Sequence, residues 1–144
     1  DEITTTNTTK ITQMQNYGEI KTEEFDAAKL GLQRASMIDL KGGEPLENAK
    51  IIKLVLNGEK GPRRDIVLIN AAAGIVVSGH AQNLKDGLLL AIESIDSGSA
   101  LNILNQLGAT EAEKVELVAY YKDQTATHSH VVSSFKTLRK NGSL

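Results

Sequence analysis

The most apolar run of the chain, IVLINAAAGIVV from Ile66 to Val77, constrains its fold more than any other stretch. It is far shorter than the roughly 20 residues that cross a bilayer, and Asn70 sits inside it. Pro62 stands near a first helical position, where a missing N–H is harmless, and Ser78-Gly79 supplies a stop. The run is expected to be one helix of a globular domain. Because it is apolar almost all round, it is expected to lie inside the packing.

Glycine and proline divide the flanking sequence in the same way. GGEPLENAKIIKLVLNGEKG begins at Gly42, places Glu44 and Pro45 in a first turn and closes at Asn57-Gly58. Ala49, Ile52, Val55 and Leu56 are expected to share its inner face. A third helix is expected from about Leu84 to Ile95, stopping at Ser97-Gly98, and a short fourth in SALNILNQLG, ending at Gly108. Ahead of Gly42, TTKITQMQ (8–15) and GEIKTEEF (18–25) alternate in the manner of strands. Asn16-Tyr17-Gly18 between them suits a tight turn, so an antiparallel hairpin is expected. Beyond Gly108, Lys114 to Tyr121 has strand-like alternation and Val131 to Lys140 fits a short helix.

The bulk composition excludes more than it identifies. A chain of 144 residues is long enough for one domain with its own core. With 16 basic and 18 acidic residues it has no field that would draw nucleic acid or an anionic membrane, and neither is expected as a partner. The absence of cysteine rules out disulfides and thiolate chemistry and suits a cytoplasmic setting. No basic stretch followed by an apolar one, as in a secretory signal, opens the sequence. A dinucleotide fingerprint, a P-loop, a nucleophile motif and an aromatic stacking platform are all missing.

Three groups of residues have the chemistry for a site. Asp1-Glu2 is a pair of adjacent carboxylates of the kind that holds Mg²⁺ together with water and a phosphate-bearing substrate, although such pairs more often mark a solvated end. Arg63-Arg64 opposes a helix dipole by about 0.3–1 kcal/mol each and so invites a phosphate, but Asp65 and Glu59 are near enough to offset that cost, and a structural role is favoured. His128 and His130 would face one side of a strand as two metal ligands. A zinc site needs further ligands, and His80 or distant carboxylates would have to supply them, so a polar loop is the commoner outcome.

Several spaced pieces between Gly42 and Leu107 add a resemblance. Gly42-Gly43-Glu44-Pro45 leads to Glu47-Asn48-Ala49, then Gly61-Pro62 with Arg64-Asp65, Asn70-Ala71-Ala72, and Ser97-Gly98 with Ala100-Leu101. LGLQRASMIDLKGGEP precedes them, and DEIT opens the chain. In this order they resemble the C-terminal part of the anthranilate phosphoribosyltransferases, over residues 1–107.

That resemblance implies a partial α/β domain of the phosphoribosyltransferase and nucleoside-phosphorylase type, with an N-terminal β-hairpin, three to four helices and a tail of uncertain structure. The expected division is 1–108 for the family domain and 109–144 for the tail. It implies transfer of 5-phosphoribosyl from phosphoribosyl pyrophosphate to anthranilate in tryptophan biosynthesis, with Mg²⁺ held by Asp1 and Glu2 and a homodimeric intact enzyme. The family's Gly-rich phosphate loop, its ribose-phosphate motif, its Lys-His-Gly segment and its anthranilate-contacting Arg all precede the Asp-Glu pair, and none occurs in the 144 residues. The chain is therefore expected to be a fragment, inactive alone and prone to self-association. A pyrimidine nucleoside phosphorylase relative and a non-catalytic assembly module of the same fold are the alternatives.

Overall fold

A computed structural model describes residues 2–15 and 18–107 of the chain. The element order is β1 (Thr9–Gln15), β2 (Glu19–Phe25), a 3-10 turn (Ala27–Leu30), and helices α1 (Pro45–Leu56), α2 (Pro62–Val77), α3 (Leu84–Asp96) and α4 (Ser99–Gln106). The expected hairpin and four helices are therefore all present. Asn16, Tyr17 and the strand and helix expected beyond Gly108 lie outside the described residues, as do His128 and His130.

The hairpin is antiparallel, with Thr9 opposite Phe25 and Gln15 opposite Glu19. It adds little to the core. Met14 and Ile20 face each other across the strands in solvent, while Ile11 and Phe25 near its base reach the packed interior. Thr12 and Thr22 share a hydroxyl hydrogen bond of 3.0 Å across the ladder.

The helices begin and end where their sequence chemistry dictates. Asn83 caps α3 by accepting from the Asp86 N–H at 3.0 Å, and Gly98 leaves it in the left-handed conformation at φ 77°. At the start of α1 the side chain of Asn48 turns back on Gly43, accepting from its N–H and donating to its carbonyl, both at 2.8 Å. Gly42 and Gly43 leave room for these side chains. A Cβ on Gly42 would fall 2.7 Å from the Asn48 Oδ1, and one on Gly43 would strike the Glu47 carboxylate.

Two hydrophobic clusters share α2. The larger joins Leu68 and Ala72 to Val55 of α1 and to Leu88, Ala91 and Ile95 of α3. The smaller holds Ile69 against Ile3 and Ala27. Helices α2 and α3 pack so closely that a Cβ on Gly87 would lie 2.7 Å from the Ala72 carbonyl oxygen. Glycine is what permits this backbone approach.

The structure corrects two expectations about the helix faces. α2 is not enclosed: Val67 and Val77 are 43% and 89% exposed, and Ala71 and Gly74 between them also face solvent. An apolar residue on a helix is buried only where another element covers that face, and here the cover is one-sided. For the same reason Ile52 of α1 is 52% exposed, and only Val55 of that expected face is fully buried. Among the described residues no single helix is long and apolar enough to cross a membrane.

Arg64 also departs from expectation, in its partner. It is buried to 5% exposure, and its Nη2 reaches across to Asp96 Oδ1 of α3 at 2.6 Å, with Lys60 approaching the same carboxylate at 3.3 Å. Asp65 instead takes a hydrogen bond from the Gln33 backbone. The Arg64 Nε has no hydrogen-bond partner among the described residues. The guanidinium's charge is answered by the Asp96 contact together with the nearby Asp65 carboxylate, whose pKa burial raises and Arg64 pulls part of the way back down.

Two predictions follow the packing. Gly87→Ala is expected to destabilise the domain by about 1–3 kcal/mol, because the new methyl meets backbone that cannot yield. Gly74→Ala, in open space on the same helix pair, is expected to stabilise it by about 0.5–1 kcal/mol. Urea unfolding of the two variants should move the midpoint in opposite directions. For Asp96, burial raises the carboxyl pKa, but Lys60 and Arg64 outweigh it and hold the group below its ordinary value of 3.8. A lowered native pKa gives stability that is present above the ordinary value and lost as pH falls through the native one. Asp96→Asn should therefore melt several degrees lower near neutral pH, with the gap closing as pH falls below the ordinary carboxyl value of 3.8. A gap of constant width would show that the carboxylate charge is not what Arg64 needs.

Candidate functional site

Of the two carboxylates singled out in the sequence, Glu2 lies within the described residues and Asp1 outside them. Glu2 is exposed and belongs to no strand or helix. Its carboxyl is held below the ordinary value, chiefly by a hydrogen bond from its own backbone N–H. It is therefore an ionised hard-oxygen donor at neutral pH.

The residues after it are fixed in several ways. Ile3 is buried against Ile69 and Ala27. Its N–H donates to Asn70 Oδ1 at 2.8 Å, and its carbonyl accepts from Asn70 Nδ2 at 2.8 Å. Thr5 is buried, and its carbonyl accepts from the Ala35 N–H at 3.1 Å. The threonine run that follows satisfies its own backbone: Thr4 takes a bond from the Thr6 N–H at 3.0 Å and gives its own N–H to Thr9 Oγ1 at 3.0 Å. A segment without a neighbouring strand among the described residues is thus held on α2 and on the loop before α1.

The chemistry of these donors fits Mg²⁺. That ion prefers one or two carboxylates, keeps several waters and completes its shell with substrate phosphates, so it does not require a closed protein cage. Among the described residues no three His, Asp or Glu side chains gather as a metal cluster.

The other candidates are placed elsewhere. Arg64 is committed to Asp96, and Arg63 donates to the Lys41 carbonyl at 2.9 Å. Neither is arranged as a phosphate receptor. His80 is exposed just past α2, with Nδ1 3.0 Å from the Ser78 hydroxyl. A hollow of about 280 Å³ between α1, α2 and the loop at Leu40 is lined mainly by Leu40, Ile51, Ile52 and Ile66, with Asn48 and Arg63 as its polar lining. Its apolar wall is the wrong chemistry for a pyrophosphate.

Asn70 is the residue whose role sequence reasoning did not identify. The signal was visible as one amide inside an apolar helical run, where a polar side chain must find partners.

Comparisons with known proteins place the chain in a family. The family described as "Glycosyl transferase family, a/b domain" matches residues 1–101. The anthranilate phosphoribosyltransferase of Brucella ovis is 47% identical over 114 residues, covering 79% of this chain and 33% of that protein. Among solved structures, the anthranilate phosphoribosyltransferase of Thermus thermophilus superposes with a TM-score of 0.57 at 40% identity, over 59% of this chain and 26% of that one. The Saccharomyces cerevisiae enzyme in complex with PRPP and Mg gives 0.61 at 28% identity, over 83% of this chain and 31% of that one. The chain spans about a third of the length of the curated relatives it matches. Together with the hairpin, the four helices and the anchored segment after Glu2, the match shows that this chain belongs to the glycosyl transferase family, α/β domain.

Proposed function

We propose that this chain is the C-terminal portion of an anthranilate phosphoribosyltransferase, and that Asp1 and Glu2 hold Mg²⁺ in the intact enzyme. The observation that carries this reading is the likeness to the Brucella ovis enzyme over most of the chain. The reaction would transfer 5-phosphoribosyl from phosphoribosyl pyrophosphate to the amine of anthranilate. Breaking the bond from C1 to the pyrophosphate leaves positive charge on the sugar and negative charge on the leaving group. When bound, Mg²⁺ offsets the charge on the departing pyrophosphate.

The chain's own residues serve that chemistry by placement. Glu2 offers an ionised oxygen. Ile3 is anchored in the smaller cluster, and Asn70 holds the peptide groups on either side of it. Groups that grip the ribose phosphate and the anthranilate would come from outside these 144 residues, so the chain alone is proposed to be inactive. The intact enzyme is proposed to be a cytoplasmic homodimer. The dimer rests on the family resemblance, and a monomer in sedimentation of the full-length protein would overturn it.

The reading is tested by exchange. Residues 1–107 of this chain replace the matching segment of the Brucella ovis enzyme, and loss of anthranilate is followed with phosphoribosyl pyrophosphate and Mg²⁺. The chimera is expected to catalyse transfer. Glu2→Gln is expected to lower kcat/KM at limiting Mg²⁺ by about tenfold or more. A folded chimera without transfer would sink the reading.

A further inference from the structure

We infer that Asn70 is the positioning residue of the metal-binding pair: by clamping the peptide groups of Ile3 it sets where Glu2 presents its carboxylate to a divalent cation. The inference rests on the metal role proposed for Asp1 and Glu2.

A carboxamide carries the same donor and acceptor pair as a peptide unit. Asn70 uses it as a neighbouring strand would, taking the Ile3 N–H at 2.8 Å and giving an N–H to the Ile3 carbonyl at 2.8 Å, across 67 positions of sequence. Its second amide hydrogen goes to the Ile66 carbonyl one helical turn earlier, at 2.9 Å. A flipped amide would set its oxygen against two carbonyls, so only one orientation satisfies all three contacts. The side chain is thereby locked to α2.

The consequence for Glu2 is geometric. The Ile3 N–H belongs to the planar unit that also contains the Glu2 Cα. Pinning that N–H fixes the plane and, with it, the Glu2 Cα from which the carboxylate side chain extends. The Ile3 side chain is buried against Ile69, the residue preceding Asn70. Consecutive residues of one helix thus hold the side chain and the backbone of the residue that follows the carboxylate pair.

A merely structural asparagine would stabilise the fold without affecting metal binding. A positioning residue, in contrast, governs the affinity for metal. Its removal is expected to weaken binding by about tenfold, as for other groups that orient a ligand.

The test uses Mn²⁺ alone with the 144-residue chain. Affinity is read by electron paramagnetic resonance and amide exchange by NMR for the unsubstituted chain, Asn70→Ala and Glu2→Gln. Both variants are expected to lose about tenfold in Mn²⁺ affinity. In Asn70→Ala the Ile3 amide should exchange at least about tenfold faster, while Leu88 and Ala91 keep their protection. If Glu2→Gln loses affinity and Asn70→Ala keeps it, positioning fails and the metal reading stands. If Glu2→Gln keeps full affinity, the metal reading fails and takes the inference with it. Should Asn70→Ala unfold, the unsubstituted chain decides the matter. Mn²⁺ should broaden the Asn70 side-chain NH₂ resonances before those of Asn102, and equal broadening overturns the inference.

Discussion

The approach of Gly87 to the carbonyl of Ala72 sets the geometry on which the rest of the domain depends. A side chain there would come within 2.7 Å of backbone, so the two helices meet closely at that point. Around it Leu68 and Ala72 of α2 close against Leu88, Ala91 and Ile95 of α3, and Val55 of α1 completes the cluster. Packing of this kind resists change on both sides. A larger residue forces the helices apart, and a smaller one removes contacts that dispersion supplies. The Arg64–Asp96 ion pair spans the same helices and ties the first turn of α2 to the end of α3.

With α2 fixed in this way, its remaining faces do separate work. Leu68 and Ile69 are adjacent and point about 100° apart on the helix, which is why one serves the larger cluster and the other serves Ile3 and Ala27. Asn70, one position further, turns to the backbone of Ile3. The placement of the segment after Glu2 therefore depends on a helix that is itself held by α3. Asn48 uses the same carboxamide pairing on Gly43 at the start of α1. In both places a segment without a partner strand among the described residues takes a donor and an acceptor from an asparagine of a helix. Buried backbone groups need such partners wherever regular structure does not provide them.

Much of this architecture could be read from local sequence. Pro45, Pro62 and Gly98 act through their own backbone chemistry, so the helix limits they impose did not depend on tertiary context. The alternation on either side of Gly18 likewise placed both strands of the hairpin. What remained hidden was pairwise. Arg64 is 32 positions from Asp96, and nothing near either residue announces the other. Its closer acids, Glu59 and Asp65, looked sufficient because sequence distance was the only distance available. The exposure of Val67, Val77 and Ile52 was illegible for a related reason. Apolar periodicity reports which faces suit burial, whereas actual burial needs a second surface.

The candidate site divides along the same line. The carboxylate pair could be noticed because its chemistry resides in two neighbouring side chains. Its support could not, because Ile3 and Asn70 meet only after α2 has folded and docked. Asn70 is costly where it stands: an amide in an apolar helix gives up helix propensity and would carry a desolvation cost of about 1–3 kcal/mol if left unpaired. Three hydrogen bonds offset that cost, two of them to the single residue that follows Glu2. Each of those two bonds acts on a peptide plane, so their combined effect is directional as well as energetic. An apolar residue at position 70 would leave Ile3 held by its side chain and, through the following peptide, by the Thr4 N–H bond to Thr9, and neither contact fixes the rotation of the peptide before it. The amide in the apolar run thus marks where a helix takes control of a backbone that no strand among the described residues supports.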